Sequence, residues 1–385
     1  MKDKIIQEKY MKDNKTKPVD LASNKKVLQF AVCGNEDIPQ VPDMSEVKSN
    51  KGWVNYGKKN DFPTYLWDLY LRSAVLQSII NGTGDFVMGE GIQASDGADL
   101  PFIKKANNKG ESLDDVLKRV ITDYLIFDGF AIQIIFNKLG QIGELYWLDF
   151  RNCRTDEDEK VVYYSKGWEK GNPRKIEYPR FDGSQNTGSC VFYFKGHKTR
   201  GVYPIPRYSG ALNAIETSTE IARYHLTAIH NNFNGNLIIN FNNGEPTDDV
   251  KKDIEKKIKN KFSGAENGGK FLVSFNDSKE NGVEVVRLQD DNTDKKYEQL
   301  RKDTYKEIFI AFRCQPQLFG FLVEGSLFNK EEYNQAYDLY YKTVVQPIQN
   351  DIISCLERIY GLDNQLSFIP FTLNKEGDNE STITE

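Results

Sequence analysis

YSGALNAIETSTEIARYHLTAIHNNFN, residues 208–234, reads as one long helix. Ile215, Ala222, Leu226, Ile229 and Phe233 recur at spacings of seven, four, three and four, the period of one helix face. At 1.5 Å per residue, about 25 residues make a rod of roughly 38 Å, and Gly235 ends it. NLIINF (236–241) is strand-like, DDVKKDIEKKIKNKF (248–262) is helical with Val250, Ile254 and Ile258 on one face, and FLVSF (271–275) and VEVVRLQ (283–289) are short strands. A second long helix, about 294–312, returns, so a small β-α-β-β insert sits at the far end of two rods. Both rods carry apolar residues on more than one face, Leu212, Ile221 and Tyr224 on the first and Phe309 and Ile310 on the second. Such a pair buries little surface in a monomer, and a head-to-tail contact that closes into a ring would cover it.

Working outward, residues 1–50 are polar and Lys-rich and read as a flexible arm, and 374–385 as an acidic disordered tail. Between 51 and 205 the pattern is helices followed by strands. Asp61 is placed to cap a helix with Pro63 in its first turn. A second helix covers Ala74–Asn81, and the Gly-rich stretch NGTGDFVMGEGI (81–92) breaks the pattern. A third helix, about Leu113–Phe127, carries a core face. The strands FAIQIIFN, ELYWLDF, VVYYSK and CVFYFKG then predict an α+β unit with a mostly antiparallel sheet. After Gln315-Pro316-Gln317 and a loop, Lys330–Tyr360 reads as one long helix bent at Pro347 and stopped by Gly361.

Composition narrows the function. With 385 residues the chain has room for two or three packed units, and 51 basic against 56 acidic residues leave a net charge of −5. No global cationic excess exists to grip nucleic acid. Five dispersed cysteines without a CxxC argue against a disulfide framework or zinc site and for a reducing compartment. No run of residues suggests a membrane span or a signal peptide.

Enzymatic motifs are weak. GAENGGKF (264–271) matches G-x-x-x-x-G-K but has Phe271 where Ser or Thr must hold Mg²⁺, and it leads from helix to strand instead of strand to helix. His225 and His230 are five apart and His197 lies in a basic loop, a poor metal triad. No catalytic residues, metal site or cofactor is expected. The helix 248–261 carries Lys251, Lys252, Lys256, Lys257, Lys259 and Lys261. These form either a solvated face with i,i+4 pairs or a basic docking patch for a protein or DNA phosphate.

The ordered set YGKKNDFPTYLWDLYLRS (56–73), VYPIPRYSGALNAI (202–215), KFSGAENGGKFLVSF (261–275), EIFIAFRCQPQLFGF (307–321) and FNKEEYNQAYDLYYKTVVQPIQNDI (328–352) resembles the tailed-bacteriophage portal proteins of the HK97 type. The resemblance covers about 50–360. It implies a portal fold: an α+β wing (51–205), stem helices 206–235 and 291–316, and a clip insert (236–290). A tunnel loop (317–330) and a wing-to-crown helix with a short crown (331–373) would follow. It also implies that Leu322, Glu324, Gly325, Ser326, Asn329 and Lys330 face DNA. Read with the apolar faces above, Ile215, Ala222, Leu226, Ile229, Phe233 and Phe309 are expected at the oligomer interface. Implied partners are further copies in a dodecameric ring at one capsid vertex, the terminase large subunit, a head–tail adaptor, major capsid and scaffold proteins, and double-stranded DNA as cargo, with no membrane. The site of action would be the virion, and the host cytoplasm during assembly. Two differences stand out: a single Pro316 in the CQPQLFG turn, and few residues after 361, which leaves room for a small crown at most. A nucleotide- or metal-dependent enzyme acting on nucleic acid, or another virion or host adaptor of this architecture, remains an alternative. Under the portal reading the acidic balance suits a passage that does not hold the duplex.

Overall fold

The computed structural model describes residues 41–371, apart from 96–99, 169, 171–172, 197–198, 200, 231–236, 242–246, 248, 251–252, 254–270, 276–284, 288–292 and 322–329. The packed structure begins before the expected boundary at 51. Val41 and Met44 lie against the core, and β1 (Val47–Lys48) pairs antiparallel with β2 (Val54–Asn55). The Glu46 carboxylate accepts the backbone N–H groups of Val202 and Tyr203, each at 3.0 Å. Two-residue strands carry no alternation to read, which is why this segment passed for arm.

Helix α1 (Phe62–Arg72) has Pro63 in its first turn and buries Phe62, Leu66, Leu69 and Tyr70. Asp61 precedes it, but its backbone is already helical (φ −113°, ψ −6°) and its side chain makes no capping bond. Helix α2 (Ala74–Met88) is properly capped, the Ser73 hydroxyl accepting the Leu76 N–H at 3.3 Å. It runs through Gly82 and Gly84 instead of stopping at Asn81. A Cβ at Gly82 would stand 2.9 Å from the Phe319 ring, so the glycine admits that ring against the helix. Such packing offsets the roughly 0.5–1 kcal/mol that a helical glycine costs relative to alanine. The break comes at Gly89 (φ +55°), where a Cβ would stand 2.1 Å from the carbonyl oxygen of Ile369.

That contact belongs to a pairing the sequence did not announce. Strand β3 (Gly91–Ala94) pairs antiparallel with β13 (Leu366–Ile369), near the end of the described chain. Leu366 and Phe368 are buried, so this part of the expected crown is stitched into the first packed region.

Helix α3 has the expected bounds, Leu113–Phe127, and opens with a reciprocal Ser112/Asp115 capping box. It packs on an antiparallel sheet in the order β5-β4-β9, from Gly129–Phe136 (β4), Ile142–Leu148 (β5) and Ser189–Lys195 (β9). A second antiparallel sheet joins Cys153–Thr155 (β6), Val161–Tyr164 (β7) and Ile176–Pro179 (β8). The α+β expectation therefore holds. Two buried polar groups secure this region. Arg154 is fully enclosed, donating to the carbonyls of Arg151, Cys153 and Asn60 and lying over the Trp168 ring. Asp123 accepts the Trp147 indole N–H (2.7 Å) and the Phe150 backbone N–H (3.1 Å). Burial, and then the nearby Asp149, push its carboxyl well above the usual range.

Two nineteen-residue helices leave this body, α4 (Leu212–His230) and α5 (Thr293–Ala311). Tyr208 stacks on Phe312 (4.9 Å) and Tyr224 on Tyr297 (4.3 Å), so advancing along one means retreating along the other: they run antiparallel. Between them in sequence lie β10 (Leu237–Phe241), β11 (Phe271–Phe275) and β12 (Val285–Arg287), in the order β11-β10-β12. The β10–β11 pair is parallel, which requires a crossover connection, and Asp249, Val250 and Asp253 within that connection are helical.

The expected single C-terminal helix is divided. α6 (Lys330–Tyr340) and α7 (Gln346–Tyr360) flank a π-helical segment at Tyr341–Val345. Pro347 lies in the first turn of α7, where its missing N–H costs little, and the irregularity falls just before it. Gly361 (φ +66°) ends α7 as expected.

Replacing Gly89 with Ala should lower stability by about 2–3 kcal/mol, because strain and a backbone clash act together; urea unfolding checks this. A carboxyl with a raised folded-state pKa binds its proton more tightly folded than unfolded. Asp123 therefore costs stability progressively as pH rises above about 4. Asp123→Asn keeps an oxygen for both donors and cannot ionise. Its stability relative to the unaltered chain should increase from pH 4 to pH 8 in paired urea titrations; a constant difference would contradict this.

Candidate functional site

The paired helices and their root are the part of the molecule least explained by the subunit's own packing. On α4, Leu212, Ile215, Thr219, Ala222 and Leu226 recur at spacings of three and four and share one flank. The first three are buried beneath the body. Beside them Glu216 is gripped by α1, through Arg72 (3.2 Å) and the Tyr65 hydroxyl (3.4 Å). Beyond Ile221 the cover ends. Ala222 is exposed and Leu226 is 56% exposed, while Tyr224, about 200° around the helix from Leu226, faces α5. Helix α5 turns Thr304 and Ile308 inward and leaves Leu300, Asp303, Glu307 and Ile310 along an outer flank, with Ile310 74% exposed.

Two ion pairs lie within α5. Lys302 pairs with Glu298 (3.2 Å), Lys306 with Asp303 (3.4 Å), and Gln299 donates to Asp303 (2.9 Å). The Asp303 carboxyl is held below its usual range, first by Gln299 and then by Lys306.

At the root, Asp128 ends α3 in the left-handed conformation (φ +57°) and is buried. Arg207, from the segment that launches α4, donates to the Asp128 carboxylate (2.8 Å) and to the Tyr124 hydroxyl (2.5 Å). Tyr124 donates in turn to Asp351 of α7 (2.5 Å), which lies 3.7 Å from Arg207. Burial, with Asp351, holds the Tyr124 hydroxyl above its ordinary pKa despite Arg207, so it stays a donor. Three elements thus meet at one guanidinium. Beside it is a cavity of about 360 Å³ walled by Leu125, Tyr208, Tyr340 and Val344, with Ile310 and Arg313 also lining it.

The expected site residues divide into three groups. Ile215 and Phe309 are buried in the subunit's own core and present nothing to a neighbour. Ile215 lies in the covered half of the stripe, and Phe309 packs edge-on against Phe321 at 4.9 Å. Ala222 and Leu226 are on the surface. Ile229 lies within α4, and Phe233 falls outside the described residues. Leu322, Glu324, Gly325, Ser326 and Asn329 also fall outside them, as do Lys251, Lys252, Lys256, Lys257, Lys259 and Lys261. Lys330 opens α6. Phe321, inside the expected tunnel loop (317–330), packs on Tyr305 and Phe309, so the first part of that segment lies against the face of α5. The phosphate-loop-like residues 264–270 and His197 are likewise undescribed, whereas His225 lies edge-on to Tyr297. Cys153, Cys190, Cys314 and Cys355 are buried free thiols.

Sequence reading missed the Arg207–Asp128–Tyr124–Asp351 cluster. Nothing in the sequence marks Asp128, or Arg207 in PIPRYSG, as part of a hub.

A family model described as phage portal protein matches residues 87–382, more than half of the chain. A curated relative, an uncharacterized protein of Rickettsia bellii, is 24% identical over 203 residues, 51% of this chain and 49% of the relative. The chain thus spans about half the length of that relative. The fold resembles an HK97 family phage portal protein from Corynebacterium diphtheriae, with TM-score 0.52 and 13% identity over 79% of this chain and 94% of that one. It also resembles a chain in the neck of a native gene transfer agent particle computed with C12 symmetry, with TM-score 0.53 and 15% identity over 87% and 88% of the two chains.

Arg207→Ala removes a guanidinium from the buried Asp128 carboxylate. The expected loss is ~2 kcal/mol, less than the ~3–5 for a fully buried pair because Arg207 is itself 42% exposed. Urea unfolding measures it, and Arg207→Lys should recover only part, since one ammonium cannot replace the fork of donors.

Proposed function

The chain belongs to the phage portal protein family, a structural and non-enzymatic one, and on that premise we propose that it is the subunit of a ring through which DNA is packaged into and ejected from a phage-like particle. The observation that carries this reading is the apolar stripe of α4 that outruns its cover, with Leu226 bare on one flank of the helix pair and Ile310 bare on the other. Two different patches on opposite flanks suit a heterologous contact, which closes into a ring when the rotation permits. Twelve copies are the proposed number, by analogy with the neck computed with C12 symmetry.

In this reading α4 and α5 are the stem lining the channel and residues 51–205 most of the wing. The β10–β12 insert is the clip, and 317–330 the tunnel loop, whose Leu322, Glu324, Gly325, Ser326, Asn329 and Lys330 meet passing DNA. The lysines of 251–261 offer the terminase large subunit or a head–tail adaptor a basic docking patch. The wing contacts major capsid and scaffold proteins at one vertex. Assembly takes place in the host cytoplasm and the product resides in the virion.

The purified chain should form a ring by native mass spectrometry and negative-stain microscopy. Leu226→Asp should reduce the ring while leaving the melting temperature of the subunit nearly unchanged, since the side chain is exposed in it. A strictly monomeric wild-type chain, alone and with its capsid and scaffold proteins, would count against the whole reading.

A further inference from the structure

The outer corner at the end of α5 has a shape and a charge that call for a specific occupant. Ile310 is 74% exposed, and Arg313, one turn later, is exposed with φ +54°. The Arg313 side chain makes no hydrogen bond or ion pair among the described residues. Both line the root cavity of about 360 Å³. The corner is therefore a recess with an aliphatic lip and an uncommitted cation.

A chemical counterpart exists on α1. Helix α1 is anchored on α4 through Glu216, beside the covered half of the stripe that ends in Ala222 and Leu226. Its outward face carries Leu71, 55% exposed, and Asp68, exposed and one turn earlier. Asp68 also makes no hydrogen bond or ion pair among the described residues. The levels agree. Because α4 and α5 are antiparallel, the end of α5 lies beside the start of α4, and the start of α4 is where α1 is held. The other bare aliphatic side chains near the pair do not fit this role. Leu226 and Leu300 lie further along the helices, and Leu339 shares a helix face with Thr343, which lines the recess itself.

We propose that the Ile310–Arg313 corner receives a second copy of this chain, whose α1 brings Leu71 to the aliphatic lip and Asp68 to Arg313. The inference rests on the ring reading and adds to it a second contact, at the root of the stem, that fixes the rotation between neighbours. An apolar pair with a flanking ion pair supplies both burial and register, and like charges placed there disfavour the contact.

The test is a charge swap in the full chain. Asp68→Lys and Arg313→Glu should each lower the ring fraction in native mass spectrometry by at least about tenfold at fixed protein and salt, since every interface of the ring carries the same lesion. The double variant should recover most of it. Leu71→Cys with Ile310→Cys should give a ladder of covalent multimers on mild oxidation. If the wild-type ring forms and both single variants match it, or the double variant is no better than the singles, this contact is wrong while the ring reading stands. If the wild-type chain forms no ring under any condition, both fall together.

Discussion

The buried carboxylate of Asp128 is the constraint on which the arrangement of the paired helices depends. Asp128 ends α3 as a left-handed residue, immediately precedes the central strand β4, and takes the guanidinium of Arg207 just before α4 departs. A buried carboxylate is tolerated only with a compensating partner. The direction in which the chain leaves the body is therefore tied to the packing of the body itself. Tyr124 extends the tie to Asp351, so α7 shares the same anchor. The antiparallel pair is held at its base from the α3–β4 junction and from the C-terminal helix together.

From that anchor the pair reaches beyond anything the subunit can cover. The stripe on α4 keeps its apolar period after the body stops, and this uncovered stretch is what the ring reading would bury against a neighbour. The aromatic stacks Tyr208–Phe312 and Tyr224–Tyr297 lock the two helices to each other, leaving only their outer flanks for a neighbour. Division of labour follows: inner faces set the antiparallel register, and outer faces are free to set the assembly. Ile215 is taken up by the body and Phe309 by Phe321, whereas Leu226 and Ile310 stay bare and, under the ring reading, face a neighbour, although all four are apolar residues on the same two helices.

That distinction explains what could be read in advance. Helix α3, the strands of the antiparallel sheet, the long pair and the small sheet between them were legible because each has a clean period or a clear stop such as Gly361. Periodicity identifies a face but not its partner, so Ile215 and Leu226 looked equivalent although one is covered by the body. Glycine was misread for a related reason. Gly82 looked like a breaker, yet it exists to let Phe319 approach, a long-range contact no local window contains. The β3–β13 pairing and the Arg207 hub are also long-range, and short strands or single charged residues carry no signal of such partners. The Pro347 irregularity was foreseen in place but not in kind, since a proline specifies a lost hydrogen bond and leaves the neighbouring turns to relax into the π segment.

The charge of the chain acquires a physical meaning on α5. A duplex moving through a channel is slowed by every phosphate that finds an uncommitted cation, because each neutralised phosphate adds affinity. Helix α5 carries lysines, but Lys302 and Lys306 are engaged by acids three or four residues away, with Asp303 held in its ionised form by its donors. Exposed pairs of this kind add little stability, commonly under about 1 kcal/mol each. Their value on a channel wall would lie elsewhere, in presenting cation and anion together so that the surface stays hydrated without a net attraction for phosphate. A net charge of −5 is then compatible with DNA as cargo, provided that the attractive cations are kept for protein contacts such as the corner at Arg313.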